Sequence, residues 1–153
     1  MDKNMKIINT IIPNAKTELS LLSNHLSKLE IYEKDEGKWY VKSHDAYGRE
    51  KLVFDKNKNQ KRPEEIVRQL FLFELTDNYG YPKDRIRVEE KVSFGREKKR
   101  ADIVVYQDDG ITPWILVEVK APHEKLNIPQ LKSYLNAEGS PIGVAVNGKE
   151  ITI

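Results

Sequence analysis

The sequence predicts an α/β fold with a central mixed sheet flanked by helices. From Pro63 onward, helical and strand-like runs follow in the order α, β, β, β, α, β, and a hairpin return comes after the last strand. The two central strand-like runs carry apolar residues on both faces, which implies cover on both sides of the sheet. Because helices and strands do not alternate regularly, the order is not that of a doubly wound fold.

Length and composition restrict the class of protein. The chain has 153 residues, enough for one compact domain with a sizeable core. It has no cysteine, which excludes disulfides and thiolate metal sites. No apolar run approaches the roughly 20 residues that span a bilayer, and the N-terminus lacks the apolar region of a signal peptide, so we expect a cytoplasmic protein. The net charge is only +2, so polyanion binding would depend on local clusters of cations.

Residues 1–60 are interpreted as a small N-terminal α+β extension, and residues 61–153 as the core of the protein. In the extension, a helix is predicted over 17–30 because leucines recur at helical spacing, with Asn14 or Thr17 as the N-cap. These leucines are Leu19, Leu22, Leu26 and Leu29.

Short strands and a linker complete the extension. Strand-like runs lie at 31–32, 38–42 and 51–54, and the last two are expected to pair with each other. The stretch 55–62 is polar and basic, which is typical of a linker.

The core is predicted to begin with a buried helix. Pro63 suits the first helical turn, and Glu64 and Glu65 lie at the end of the helix dipole that favours negative charge. Apolar residues fill much of the helix circumference. The helix is predicted to end near Asn78, before Gly80 and a following proline.

The remaining elements follow from alternation and turn signals. We predict an edge-like strand over 86–94, a basic turn over 95–100, two central strands over 101–106 and 114–120, a helix over 130–136 and a strand over 142–146. Asn147-Gly148 predicts a type I′ hairpin that leads into the last residues, 151–153.

A carboxylate–lysine constellation lies on the two central strands. Asp102 interrupts one apolar run, and Glu118 and Lys120 interrupt the other, where charges are costly unless a partner or metal uses them. Since side chains alternate along a strand, a hairpin centred near Gly110 places Asp102 across from Glu118. This register brings all three charged residues together, at one end of the sheet.

These residue types suit metal-dependent phosphodiester hydrolysis. Two carboxylates are the ligands that Mg²⁺ or Mn²⁺ prefers, and such an ion can activate water and stabilise charge on a phosphate. Lys120 could orient or deprotonate that water, or hold the phosphate. An ordinary hairpin with one wet face would show the same residues. The three histidines are scattered through the sequence and form no cluster of ligands.

Three further features support a nuclease, and each has a plainer explanation. Glu65, or else Glu64, could be an additional metal ligand, or could only compensate the helix dipole. Gln130 and Tyr134 lie four residues apart on one helix face and could point at the site or at DNA, or the pairing could be incidental. The basic turn could bind DNA phosphates or could simply be solvated; its residues are Arg96, Lys98, Lys99 and Arg100.

Taken together, these residues resemble the PD-(D/E)xK nuclease superfamily. More narrowly, the chain is similar to the N-terminal nuclease domain of type I restriction enzyme restriction subunits. The resemblance runs from Pro63 to the C-terminus and is carried by five short segments: 63–70, 79–83, 99–105, 117–122 and the Gln130…Tyr134 pair. Ala101 stands where the superfamily name has a proline, and residues before Pro63 carry no resemblance.

The resemblance implies a restriction-endonuclease-like αβββαβ core and Mg²⁺-dependent cleavage of double-stranded DNA within a restriction-modification system. Asp102, Glu118 and Val119 would then be metal ligands, and Lys120 the catalytic lysine. Gln130 and Tyr134 would form an accessory catalytic motif. Larger members also carry an ATP-driven translocase, but this chain has no phosphate-binding glycine-rich loop. We therefore expect a stand-alone relative or a fragment, with other subunits or a helicase domain as possible partners.

Two other classes of function stay open at the level of sequence. The same scaffold could bind DNA without cleaving it, or could act as a subunit-interaction module inside a restriction assembly. Salt-sensitive DNA binding without cleavage distinguishes the first, and association with a partner subunit without DNA affinity distinguishes the second.

Overall fold

Two β-sheets and the helix between them share one hydrophobic core. The computed structural model describes residues 3–94, 97–129 and 142–153. The helices are α1 (Lys3–Ile11), α2 (Ala15–Glu18) and α3 (Pro63–Phe73), with 3₁₀ turns at Ser23–Lys28 and Lys83–Arg85 and a π-helical turn at Glu74–Asn78. The strands are β1 (Ile31–Lys34), β2 (Lys38–Lys42), β3 (Glu50–Asp55), β4 (Gln60–Lys61), β5 (Ile86–Phe94), β6 (Glu97–Tyr106), β7 (Pro113–Val119), β8 (Ile142–Val146) and β9 (Ile151–Thr152).

The first sheet is an antiparallel meander in the order β1-β2-β3-β4. Its strands alternate between the core and solvent, and Val41 and Val53 are among the residues that turn inward. The predicted pairing of 38–42 with 51–54 is confirmed, because Val41 lies opposite Lys51. The linker prediction for 55–62 is wrong in part. Gln60 and Lys61 form β4, which pairs with the end of β3.

Helix α3 packs against both sheets, with contacts to β3 and to β7. Its start at Pro63 is confirmed, and the helical turns end at Asn78 as the sequence predicted. All residues from Glu65 to Leu72 are buried, including three polar ones. A helix buried all round has to satisfy those polar groups internally, which places them at the centre of the candidate site below.

The second sheet has the order β5-β6-β7-β8-β9, with β7 and β8 parallel and the other neighbours antiparallel. The expected edge strand 86–94 is confirmed as β5. The basic turn is wrong in part, since β6 already begins at Glu97. The predicted hairpin register is confirmed where Ile103 pairs with Val117, with one irregularity between Val105 and Tyr106. The predicted helix 130–136 lies outside the described residues.

One continuous core joins the N-terminal residues to the rest of the chain. Buried side chains of α1, β2 and β3 belong to the same cluster as those of α3, β6, β7 and β8. A smaller cluster, which includes Val104 and Leu116, lies on the other face of β6 and β7. The extension is therefore packed as part of the folded unit.

The helix predicted over 17–30 is wrong, and its tertiary contacts explain why. The chain instead forms α2 and the 3₁₀ turn Ser23–Lys28, and the α1 helix was missed. The amide of Leu21 donates to the carbonyl of Gly148 at 3.1 Å rather than to a helical partner. The predicted leucines are all buried, so their apolar pattern serves the core without a regular helix.

The hairpin at the C-terminal end is confirmed, but not its predicted type I′ turn. Val146 pairs with Ile151, which leaves a four-residue loop. The side-chain oxygen of Asn147 accepts from the amides of Lys149 and Glu150, at 3.0 and 2.8 Å. Gly148 has φ 95°, and a Cβ there would lie 2.7 Å from Leu19, so glycine is required by both backbone and space. No helix in the described ranges is long and apolar enough to cross a membrane.

Candidate functional site

Asp102 lies where the central strands part. The pairing of β6 with β7 runs to Ile103 and Val117, and Asp102 and Glu118 are the next positions in that register. The amide of Val119 donates to Oδ2 of Asp102 at 2.7 Å, so a side chain supplies the acceptor that a backbone carbonyl would otherwise provide. This bond fixes the carboxylate between the two strands.

Burial raises the pKa of Asp102, and the carboxylate of Glu118 acts in the same direction. The Val119 amide, Arg68 and Lys120 oppose that rise without cancelling it. Desolvation and a like charge disfavour the ionised form, and a cation bound beside the carboxylate would relieve both. Asp102 is therefore a partly desolvated carboxylate, unlike a solvated surface charge.

A cavity of about 440 Å³ brings the first turn of α3 to Asp102. Its wall includes Glu64 and Glu65 of α3, Asp102, the neighbouring Val119 and Glu89 of β5. Three sequence-predicted residues, Asp102, Val119 and Glu65, thus share one cavity. Glu118 and Lys120 are half-buried but are not part of that wall.

A buried cluster of polar side chains holds Glu65. The guanidinium of Arg68 binds both carboxylate oxygens of Glu65, with Nε 3.0 Å from Oε2 and Nη2 close to Oε1. Gln69 donates to Oε2 at 3.0 Å. Glu65 and Arg68 are only 8% and 7% exposed, and Gln69 is fully buried. In this arrangement the two oxygens of Glu65 are committed to the protein, which leaves it poorly placed as the predicted metal ligand.

Gln69 connects this cluster to the first sheet. Its amide nitrogen also donates to the hydroxyl of Ser43 at 3.1 Å, and its carbonyl oxygen accepts from the amide of His44 at 3.0 Å. Both partners follow β2, in the N-terminal extension. The residues that position Glu65 therefore come from both parts of the chain.

Glu89 is a member of the site that the sequence reasoning missed. It has φ 55° inside β5 and lies between two paired residues. The ammonium of Lys51 donates to its Oε2 at 2.7 Å, and Arg68 lies 3.4 Å from Oε1. The hydrogen bond from Lys51, with the nearby charge of Arg68, lowers the pKa of Glu89. Glu89 is therefore held ionised at the edge of the cavity.

Arg68 and Gln69 were also missed as site residues, although a signal was available. They follow Glu65 at i+3 and i+4, the spacings that bring side chains together on a helix. The apolar pattern indicated that this helix is buried, and buried polar residues need partners. Nothing in the sequence pointed to Glu89, because its role depends on a local backbone irregularity.

In the described structure, Glu118 on β7 and Lys120 just after that strand are not bonded to Asp102 on β6, although the sequence predicted that the three residues form one site. Within the described residues, the Glu118 carboxylate and the Lys120 ammonium make no hydrogen bond or ion pair, although both influence the charge of Asp102. Among the same residues, no three His, Cys, Asp or Glu side chains are grouped so that they could hold a metal ion. The donor chemistry of Asp102 and Glu118 nevertheless suits a hard cation.

The other predicted residues divide by position. Arg100 is exposed on β6 and its Nε donates to the carbonyl of Glu89 at 3.3 Å, which places it beside the cavity. Lys98 and Lys99 belong to β6, but their side chains lie outside the described part of the structure. Arg96, Gln130 and Tyr134 lie outside the described residues altogether.

Comparison with known proteins finds a family model that matches more than half of the chain. A family model described as the type I restriction enzyme R protein N terminus (HSDR_N) matches residues 63–153. This range contains α3, the second sheet and every residue of the predicted site. No curated protein and no solved structure matches the chain.

Proposed function

The chain belongs to the family of type I restriction enzyme R protein N termini, and on that premise we propose that it is a Mg²⁺-dependent DNA endonuclease domain of a type I restriction-modification system. Family membership supports the role in restriction. The cleavage reaction and its metal dependence are the part that we propose, and double-stranded DNA is the proposed substrate.

The observation that carries this proposal is the environment of Asp102. Its carboxylate is desolvated, held by the Val119 amide and raised in pKa beside Glu118, in the wall of an open cavity. Clefts in which burial and a like charge shift a carboxylate are characteristic of catalytic sites. Asp102 forms no ion pair in the described part of the chain, although the charges of Arg68 and Lys120 act on it.

Asp102 and Glu118 would hold the metal ion, and Lys120 would act on the phosphate or on the attacking water. When bound, Mg²⁺ supplies charge neutralisation at the scissile phosphate and a more acidic water. The ammonium of Lys120 would offset charge on the phosphate or orient that water through a hydrogen bond. Arg68 keeps Glu65 neutralised, which lowers the negative charge that a phosphate meets in the cavity.

Nicking of supercoiled plasmid in Mg²⁺ or Mn²⁺ tests the proposal. Asp102→Asn and Lys120→Ala should abolish nicking. Asp108→Asn is the matched control, because Asp108 is exposed in the turn at the far end of the same hairpin and pairs with Arg85 at 2.6 Å. Equal nicking by all four proteins would show that a contaminating nuclease or another site is responsible.

Direct metal binding provides a test that does not depend on turnover. Calorimetric titration with Mn²⁺ should give binding to the wild-type chain, and Asp102→Asn should weaken it strongly. Absence of Mn²⁺ binding to a folded wild-type protein would reject a metal-dependent mechanism.

The alternative is a DNA-binding module that does not cleave, and the ion pair of Glu65 with Arg68 is the observation that favours it. Arg68 already supplies positive charge beside Asp102, as a metal would. This alternative expects salt-sensitive DNA binding with no cleavage in any divalent ion.

A further inference from the structure

A basic hairpin at the boundary between the N-terminal extension and the core reaches the mouth of the cavity. The loop and strand that follow β3, residues 56–62, contain four cations and no acidic residue. Every residue of this segment is exposed. The cations are Lys56, Lys58, Lys61 and Arg62, and none of them makes an ion pair within the described residues. Most exposed lysines are simply solvated and have no specific function. Only their position in the structure can distinguish these four cations from ordinary surface charges.

The hairpin has a fixed shape. Asp55 is buried, and its Oδ1 accepts from the amides of Asn57 and Lys58 at 3.0 and 3.3 Å. The amide of Arg62 donates to the carbonyl of Val53 at 3.0 Å, which ties the end of the hairpin to β3. Charges on a pre-organised backbone lose less freedom on binding than charges on a loose linker.

The base of the hairpin faces the site, while its tip does not. Lys61 and Arg62 line the same 440 Å³ cavity as Asp102. At the tip, the amide of Lys56 donates to the carbonyl of Gly37 at 2.7 Å, beside the acidic turn formed by Asp35 and Glu36. The cation at the tip, Lys56, therefore lies near two acidic residues.

Two of the four acidic residues of the cavity wall have cationic partners of their own. Glu65 is bound by Arg68, and Glu89 is bound by Lys51. Glu64 and Asp102 are the remaining carboxylates of the wall, and within the described residues neither forms an ion pair with Lys61 or Arg62. Lys61 and Arg62 thus present exposed cationic groups, without an ion pair in the described residues, beside a carboxylate site, and such side chains commonly contact the phosphates of DNA.

We propose that Lys61 and Arg62 bind the phosphate backbone of duplex DNA at the mouth of the Asp102 cavity. Both residues precede the family-matched range of 63–153, so residues outside that range would supply part of the substrate-binding surface. The inference rests on the proposed function in that it takes DNA as the substrate. It does not require cleavage.

The test is the salt dependence of binding to a 30-base-pair duplex in EDTA, measured by fluorescence anisotropy. Lys61→Ala/Arg62→Ala should weaken binding and reduce the slope of log affinity against log salt by about two, since each phosphate contact contributes about 0.9. Arg62 makes no side-chain cap to α3, so the substitution removes no helix cap. Circular dichroism should confirm that the variant is folded.

Lys42→Ala/Lys83→Ala is the matched control. It also removes two exposed cations, which line a separate cavity of about 290 Å³ with Phe73, at the other end of α3. An 11-residue helix is about 16 Å long, so the two pairs are well separated. The control should leave the slope unchanged.

Three outcomes would overturn the inference: an unchanged slope for the hairpin variant, an equal loss in both variants, or no duplex binding by the wild-type chain. In the first two cases DNA binding persists and the proposed nuclease function is unaffected. In the third case DNA as substrate fails as well. Cleavage that disappears in Asp102→Asn with normal binding would leave both proposals intact.

Discussion

The amide of Val119 and the carboxylate of Asp102 are joined by a 2.7 Å hydrogen bond across the central strands. This bond stabilises the ionised form of Asp102, yet burial outweighs it and the pKa remains raised. The pH dependence of stability and the response to cations should both reflect this balance between burial and the hydrogen bond.

Asp102 should make stability depend on pH in a defined direction. An acid whose folded pKa exceeds its unfolded pKa binds more protons in the folded state, so its contribution to stability falls as pH rises from the unfolded to the folded value. Asp102→Asn should remove this contribution. We expect the free energy of unfolding of the wild type, relative to the variant, to decline with rising pH across that window. Urea unfolding at a series of pH values measures it.

The comparison of wild type with Asp102→Asn also separates Asp102 from carboxylates whose effect on the pH dependence of stability is opposite. The pKa values of Glu89, Asp77 and Asp109 are lowered by their hydrogen bonds, so they favour the folded state at higher pH. Because both proteins share these groups, the difference between them isolates Asp102. A difference that does not change with pH would contradict the raised pKa.

Divalent cations should stabilise the wild type selectively. A ligand that binds only the folded state at 100 times its dissociation constant contributes about 2.7 kcal/mol. Thermal unfolding should therefore shift upward in Mn²⁺ or Mg²⁺, with a much smaller shift in Asp102→Asn. Equal shifts in both proteins would indicate cation binding elsewhere.

Removal of Arg68 should destabilise the protein severely. Arg68→Ala leaves the buried Glu65 without its charged partner, and such losses typically cost about 3–5 kcal/mol. Arg85→Ala is the control, because its partner Asp108 is exposed and its loss should cost little. Chemical unfolding of both variants makes the comparison. Arg68→Ala/Glu65→Gln should recover part of the loss, which a mere loss of packing by Arg68 would not predict.

Residues 63–153 should not fold in isolation, although they are the range that the family model matches. Deletion of the extension would expose the apolar residues of α3 that now pack against β3 and the 3₁₀ turn Ser23–Lys28. It would also remove Ser43 and His44 from Gln69. We expect loss of cooperative thermal unfolding in the fragment, measured beside the full chain. A cooperative transition in the fragment would show that the extension is dispensable.

The sequence predicted most of what depends on local pattern. Alternation located the strands of the second sheet, and strand parity predicted the register that pairs Ile103 with Val117. Pro63 with the two glutamates marked the start of α3. These features succeed because their signals lie within a few residues of each other.

What the sequence did not predict depends on distant contacts. The leucines after Asn14 suggested one helix, but bonds such as Leu21 to Gly148 favour shorter turns. The sequence identified Glu65 as a residue of interest, but not the bonds of Gln69 to Ser43 and His44, which lie far away in the sequence. The end of the apparent linker, Gln60 and Lys61, proved to be a strand, because β3 offers it an edge to pair with.

The bond between Val119 and Asp102 also depends on the register in which β6 pairs with β7. A slip of β6 by one residue against β7 would move the carboxylate away from that amide and exchange the two sets of apolar side chains that β6 presents to the two core clusters. A mispaired chain would then lack the native packing of both clusters and the native position of Asp102. Under the proposed function, the capacity to cut DNA would be acquired only with correct pairing, so that partly folded molecules would be harmless to the DNA around them.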